Sequence, residues 1–268
     1  MHQCSVDPNC VRHCPVAEQV GILRTAESNP KRSLCQRWTT GCGLRWPALL
    51  TAVVGLGLLL QPLPEARAAQ CPNVALVFAR GTFEPPGIGV TGEAFLDALR
   101  TRLGGLTVEP YAVDYPASLD FSRVAEGVVD ASHEVVTLAS DCPATRIVMG
   151  GYSQGAAVAV YTTTDAVPAG YVLPDGLAGP LPSGVAQHVA VVALFGKPRD
   201  SFVQLIDGGA PLLTIGNLFA AKTIDLCAPA DPVCSQTGTD RAAHRAYPVN
   251  GMTNQAADFA AQRLNVTR

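Results

Sequence analysis

Five short apolar runs, each about the length of a buried strand, are spread along residues 74–216. Most of them are apolar at nearly every position, which is typical of parallel strands covered on both faces. The predicted strands are VALVFA (74–79), LTVEPYAVDYP (106–116), TRIVMGG (145–151), HVAVVALFG (188–196) and PLLTIG (211–216).

Segments with apolar residues at helical spacing separate these runs and follow the last one. Thr91 or Gly92 can begin the first helix, and Ser118 or Asp120 can cap the second. The predicted helices cover 91–103, 118–140, 154–163 and 252–264. Strands that alternate with helices predict an α/β domain whose parallel sheet has helices on both faces.

An uncharged apolar run, Trp46–Leu60, follows several basic residues and precedes a stretch of small residues. This layout predicts a secretory signal that is cleaved after Ala68 or Ala69. A membrane anchor is the competing interpretation, but the run is shorter than the roughly 20 apolar residues of a spanning helix. We therefore divide the chain into a leader, 1–68, whose first part we expect to be unstructured, and one domain, 69–268.

Charge and cysteine content support an exported domain that binds no nucleic acid. From Ala69 onward the chain has 12 basic and 18 acidic residues, a net charge of −6, and no basic run. Four of the nine cysteines lie in this part, which predicts two disulfides with three possible connectivities. The short spacing favours Cys227–Cys234, which leaves Cys71–Cys142. A zinc site is disfavoured because no histidine has ligand spacing to these cysteines.

The stretch GYSQG places Ser153 between two glycines, directly after a predicted strand and before a predicted helix. This context is typical of a nucleophile elbow, in which the serine oxygen is exposed at the carboxyl edge of the sheet. A plain glycine-serine turn is the alternative interpretation.

A serine nucleophile needs a base, and two histidines follow Ser153. His188 opens a strand, where a structural role is expected, whereas His244 lies in a loop that can reach the sheet edge. The orienting acid should lie between serine and base. Asp231 is favoured because CAPADPVC would hold it in a small disulfide loop; alternatively it only begins a turn before Pro232.

Acyl transfer also needs hydrogen-bond donors for the developing oxyanion. The backbone N–H of Gln154, directly after the nucleophile, is one candidate. The loop after the first strand should supply the other, which indicates Thr82. A threonine that only bonds its own backbone is the alternative.

These residues resemble the cutinases and the cutinase-like serine esterases of actinobacteria. The resemblance rests on ARGT after the first strand, GYSQG, the CxxxDxVC loop and a histidine thirteen residues beyond its aspartate. It implies a lidless α/β-hydrolase-like fold with five parallel strands in three layers. It also implies Ser153 as nucleophile, His244 as base, Asp231 as orienting acid, Thr82 with Gln154 as oxyanion hole, and both disulfides.

The apolar candidates around the site form a modest rim, which predicts short or medium acyl chains. They are Phe83, Pro85, Pro86, Ile88, Tyr247 and Pro248. We therefore expect a secreted, monomeric serine esterase that acts on lipid or cutin-like esters and needs no metal or cofactor. The alternatives are an acetylxylan esterase, a phospholipase or thioesterase with the same catalytic residues, or a catalytically silent binding or antigenic protein.

Overall fold

The sheet consists of five parallel strands in the order β2-β1-β3-β4-β5. The computed structural model describes residues 71–169 and 171–264, and the predicted leader 1–68 lies outside them. The strands are β1 Val74–Ala79, β2 Val108–Ala112, β3 Arg146–Tyr152, β4 Val189–Phe195 and β5 Thr223–Leu226. The predicted α/β architecture with five parallel strands is confirmed.

Eight α-helices and one 3₁₀ turn, Phe121–Arg123, connect and cover these strands within the described ranges. The helices are α1 Gly89–Leu103, α2 Val124–Asp141, α3 Gln154–Thr162, α4 Ser183–Ala186, α5 Asp200–Ile206, α6 Asn217–Ala220, α7 Arg241–His244 and α8 Met252–Arg263. The second helix begins later than predicted, because Asp120 caps the 3₁₀ turn by accepting from the Ser122 N–H.

The two faces of the sheet bury different sets of side chains, because alternate strand residues point to opposite sides. Leu76 and Phe78 of β1 pack with α1 and α8, whereas Val77 and Ala79 pack with α2 and α3. The continuous apolar runs of the sequence are thus explained by burial on both faces.

The predicted fifth strand at 211–216 is wrong, because the backbone groups of this segment bond to helices instead of a strand. The Pro211 carbonyl accepts from the Tyr161 hydroxyl at 2.5 Å, and the Leu213 N–H donates to Asp200 at 3.1 Å. The edge strand is instead β5, only four residues long and exposed at Asp225. Its brevity and its charge gave the sequence pattern little to detect.

Both expected cysteine pairs are disulfides in the structure. Cys71–Cys142 joins the start of the domain to the end of α2, and Cys227–Cys234 closes the loop after β5. Within 71–169 and 171–264, no helix is long and apolar enough to cross a bilayer.

Candidate active site

Ser153 lies at the sharp turn between β3 and α3, at the carboxyl edge of the sheet. Its backbone is left-handed, with a φ of 54°, and its N–H donates to the Phe195 carbonyl at 2.9 Å. A Cβ at Gly151 would collide with the Gly155 backbone, and one at Gly155 would collide with Ala79 and Arg80. The two glycines are therefore required by close backbone approach, and the elbow presents the serine side chain to the surface.

His244 hydrogen-bonds to both other members of the predicted set. Its Nε2 lies 2.9 Å from the Ser153 Oγ, and its Nδ1 lies 2.8 Å from the Asp231 Oδ2. His188 instead precedes β4, at the opposite, amino-terminal edge of the sheet. The structure thus brings together the serine, histidine and aspartate that were favoured, and leaves the other histidine remote.

The Asp231 side chain is fully buried and accepts three hydrogen bonds. Its Oδ1 accepts from the Val233 N–H at 2.8 Å, and its Oδ2 accepts from the Tyr247 hydroxyl at 2.6 Å and from the His244 ring. Burial alone would raise the pKa of this carboxyl, but these bonds outweigh it and hold the pKa below its ordinary value. Asp231 is therefore an ionised partner for an imidazole.

Tyr247 was predicted to line the substrate rim, and this is wrong. Its ring is fully buried, its hydroxyl donates to Asp231, and the same hydroxyl accepts from the Ala228 N–H at 3.1 Å. Ile88 was also predicted on the rim but is 3% exposed, because it packs in the core beneath α1. No periodic signal in the sequence distinguishes a tyrosine that supports a carboxylate from one that faces substrate.

Replacing Tyr247 with phenylalanine should reduce the free energy of unfolding at pH 7 by about 2 kcal/mol, because the buried Ala228 N–H loses its acceptor and Asp231 loses a donor. The depressed pKa of Asp231 stabilises the fold above about pH 4, and this contribution is lost as pH falls through the folded-state pKa.

The difference between Tyr247→Phe and the native protein should therefore shrink below pH 4, as measured by urea unfolding at several pH values. Tyr111→Phe is the matched control, because its hydroxyl binds Asp130 outside the site. A difference that stays constant with pH would contradict the link to Asp231.

Tyr152, which was not among the predicted site residues, contacts both the backbone and the ring of His244. Its hydroxyl donates to the His244 carbonyl at 2.6 Å, and the two rings lie 5.1 Å apart. It directly precedes Ser153 on β3, so one strand end positions both the nucleophile and the backbone of the base.

The loop that carries Thr82 is held by a carboxylate and a guanidinium. The Glu84 side chain accepts from the Gly81 N–H at 2.6 Å and from the Val90 N–H at 2.8 Å. Arg80 donates to the Glu84 carbonyl at 2.9 Å. Thr82 lines the same cleft as Ser153 and Gln154. The role of Glu84 in holding this loop is not predicted by the sequence.

Gln154 is the first residue of α3, so its backbone N–H has no partner within the helix. Its side-chain Nε2 donates to the Ser118 carbonyl at 2.8 Å, which ties the helix start to the loop after β2. The helix N-terminus also contributes a partial positive charge beside Ser153. This placement suits a donor to an oxyanion.

The cleft above Ser153 has a volume of about 800 Å³. Four of the apolar side chains that line it are largely exposed to solvent: Phe83, Val90, Leu119 and Ile206. Of the residues predicted for the rim, Phe83 and Pro248 line the cleft, and Phe83 is 72% exposed. Two basic residues, Arg241 and Arg245, also line the cleft.

Removal of each disulfide should affect stability and activity to different extents. Replacing Cys71 and Cys142 with serine removes the cross-link that closes a long loop, which should lower the free energy of unfolding by about 4 kcal/mol. Replacing Cys227 and Cys234 should lower it by about 2.5 kcal/mol. Only the shorter loop holds Asp231, so the second double variant should lose more kcat.

Thermal unfolding and ester hydrolysis of both double variants test this prediction. An equal loss of kcat in the two variants, after correction for the folded fraction, would contradict it.

A five-stranded parallel sheet, with helices on both faces and a serine at a strand-to-helix elbow, defines the class of the α/β hydrolases. The chain belongs to the cutinase family: the family model "Cutinase" matches residues 70–264. The predicted family is confirmed, and the protein is a carboxylic ester hydrolase.

Named relatives agree with this assignment. Carboxylesterase Culp1 of Mycobacterium tuberculosis is 46% identical over 222 residues, 81% of this chain and 95% of the relative. Phospholipase Culp4 of the same species is 43% identical over 230 residues, 85% and 96% of the two chains. The structure of Trichoderma reesei cutinase with a phosphonate inhibitor has a TM-score of 0.54, with 29% identity over 73% of this chain and 78% of that one.

Proposed function

We propose that Ser153, His244 and Asp231 form the catalytic triad of this esterase, which hydrolyses carboxylic esters through an acyl-enzyme. The observation that carries the proposal is the continuous chain of two hydrogen bonds, 2.9 and 2.8 Å, from the Ser153 Oγ through His244 to Asp231. Nucleophile, base and orienting acid within hydrogen-bond reach of each other are the signature of such a mechanism.

In the first step the Ser153 oxygen attacks the ester carbonyl while the His244 Nε2 takes the serine proton. Asp231 accepts the hydrogen bond from Nδ1, so it holds the imidazole in the required tautomer and stabilises the imidazolium. Because Asp231 is buried and ionised, it does this without competition from solvent. Collapse of the tetrahedral intermediate releases the alcohol, which receives its proton from His244.

The charge on the carbonyl oxygen is stabilised by the N–H of Gln154 and by Thr82, which line the cleft on either side of Ser153. In the second step a water molecule gives its proton to His244 and attacks the acyl-enzyme. The acid product then leaves and Ser153 is regenerated.

The substrates we propose are lipid esters with short or medium acyl chains. The exposed apolar side chains at the cleft, Phe83, Val90, Leu119 and Ile206, can contact an acyl chain. A phospholipase is the second candidate, because Arg241 and Arg245 line the cleft and a relative with 43% identity is named a phospholipase.

We also propose that the protein is exported, with residues 1–68 acting as the leader. The support is the apolar run Trp46–Leu60, the basic residues before it and the even cysteine number after it. Expression of the full chain in an actinobacterial host, followed by N-terminal sequencing of the protein in the medium, should find Ala69 or Gln70 as the first residue. Retention of the whole chain in the membrane fraction would refute export.

The catalytic proposal is tested with purified protein, a fluorophosphonate and a panel of substrates. Mass spectrometry should find one adduct, on the peptide that contains Ser153. Nitrophenyl esters should be turned over best with acyl chains of about four to eight carbons, and a maximum at sixteen carbons would contradict the substrate proposal. Phospholipids and acetylated xylan in the same panel separate the second candidate and the acetylxylan alternative.

A further inference from the structure

A second cavity, of about 290 Å³, is lined by α2, α3 and parts of the segments 164–168, 171–180 and 207–212. It is roughly twice the volume of an engineered 150 Å³ cavity that binds benzene. Its walls are mostly aliphatic and aromatic, and include Val124 and Val128 of α2 and Leu173 and Leu177 of the segment 171–180. Leu212 at its mouth is 61% exposed, so the cavity is open to the surface.

Two of the hydroxyls that line this cavity are hydrogen-bonded to the protein itself. The Tyr161 hydroxyl donates to the Pro211 carbonyl, and the Thr162 hydroxyl donates to the Val158 carbonyl. Among the described residues that line the cavity, Asp207 is the one with a charged side chain, and it accepts from the Gly209 N–H of its own turn. An uncharged hydrocarbon chain therefore fits this cavity better than a polar or anionic ligand.

Phe121 lines both the second cavity and the catalytic cleft. Its side chain is 5% exposed, so it fills the space between the two. At the end of α5 consecutive residues line the two spaces, Ile206 the cleft and Asp207 the second cavity. Phe121 is therefore part of the wall that separates the second cavity from the catalytic cleft.

We propose that the second cavity is a binding site for a linear acyl chain, and that Phe121 is the specificity-determining wall that keeps chains bound at Ser153 out of it. The native cleft is then restricted to short and medium chains, while the second cavity takes a separate hydrocarbon chain from the surface. This inference rests on the proposed function, because it takes Ser153 as the acylated residue.

The first test measures occupancy of the cavity without turnover. The Ser153 oxygen is blocked with a methylphosphonate, and dodecanol is added as the hydrocarbon probe. Dodecanol should still raise the midpoint of thermal unfolding of the blocked native protein. The shift should disappear in Ala125→Phe, because Ala125 lines the second cavity and a phenyl ring would fill it.

The matched control is Ala178→Phe, which adds the same ring at an exposed position of the segment 171–180. The Ala178 side chain itself does not line the cavity. This variant should keep the full dodecanol shift and the native rate on nitrophenyl butyrate. The proposed binding site would be refuted if dodecanol shifted the unfolding midpoint equally in Ala125→Phe and Ala178→Phe, or if it caused no shift in the native protein.

The second test removes the wall. Phe121→Ala should raise kcat/KM for nitrophenyl laurate relative to butyrate by roughly tenfold or more, since each further methylene that leaves water contributes about fourfold. Adding Ala125→Phe to this variant should cancel the gain, and adding Ala178→Phe should not. Phe121→Leu should give a smaller gain in the same direction if the alanine variant does not fold.

The outcomes distinguish this inference from the proposed function. If a fluorophosphonate fails to label Ser153, the triad is wrong. If labelling is normal but the laurate to butyrate ratio is unchanged in both Phe121 variants, or the gain survives Ala125→Phe, the second cavity is not continuous with the acyl site and the inference fails.

Discussion

Replacing Ser153 with alanine should lower kcat for nitrophenyl butyrate by about a millionfold, because the variant lacks the hydroxyl that hydrogen-bonds to the His244 Nε2. The imidazole loses a hydrogen-bonding partner but stays bonded to Asp231, so the fold should be retained. Rates are measured with active-site-titrated protein, and thermal unfolding checks folding. The fluorophosphonate adduct should be lost together with activity.

Ser183→Ala is the matched control, because Ser183 is an exposed serine on α4, which lies before β4 and away from the elbow. It should keep native activity and native labelling. If the Ser153 variant hydrolyses esters at more than a hundredth of the native rate, or if the phosphonate labels another residue of the native protein, the assignment of the nucleophile is refuted.

Replacing Asp231 with asparagine should lower kcat by about ten-thousandfold at pH 7. The amide nitrogen would donate to His244 Nδ1 and select the tautomer in which Nε2 carries the proton, so the imidazole could no longer take the Ser153 proton. The neutral amide would also leave the partly buried imidazolium without its counter-charge. Substrate affinity should change little, because Asp231 does not contact the substrate.

Asp225→Asn is the control for this prediction. Asp225 also lies between Ser153 and His244 in the chain, but its carboxylate on β5 pairs with Lys197 at 3.4 Å. We expect its replacement to change kcat only a few-fold. If Asp225→Asn and Asp231→Asn lose activity to the same extent, the orienting acid has been misassigned.

Four of the five strands and the family could be predicted because their signals are local in the chain. A buried parallel strand is apolar at each position, as in β1 and β4, and so reads as a continuous run. β5 was not predicted because it is four residues long and contains a charged, exposed residue, Asp225. The segment 211–216 has the composition of a strand, but its backbone bonds to side chains of α3 and α5.

The candidate site divides in the same way. Ser153 and Asp231 lie in short segments whose glycines and cysteines serve a local geometry, so sequence motifs reveal them. Tyr247 resembled a rim residue because an aromatic side chain near His244 can face either the substrate or the carboxylate. Only the packing of the loops decided that its hydroxyl donates to Asp231.

The sequence by itself determined the alternation of strands and helices, the elbow around Ser153, the small loop around Asp231 and the order of Ser153, Asp231 and His244 along the chain. The tertiary structure alone decided that Tyr247 and Ile88 are buried, that β5 is the edge strand, and that Phe121 separates two cavities. The physical reason is the distance along the chain over which the deciding interactions act. Backbone turns and hydrophobic periodicity depend on neighbours in the chain, whereas burial, cavity walls and the donors to a carboxylate depend on side chains that folding brings together.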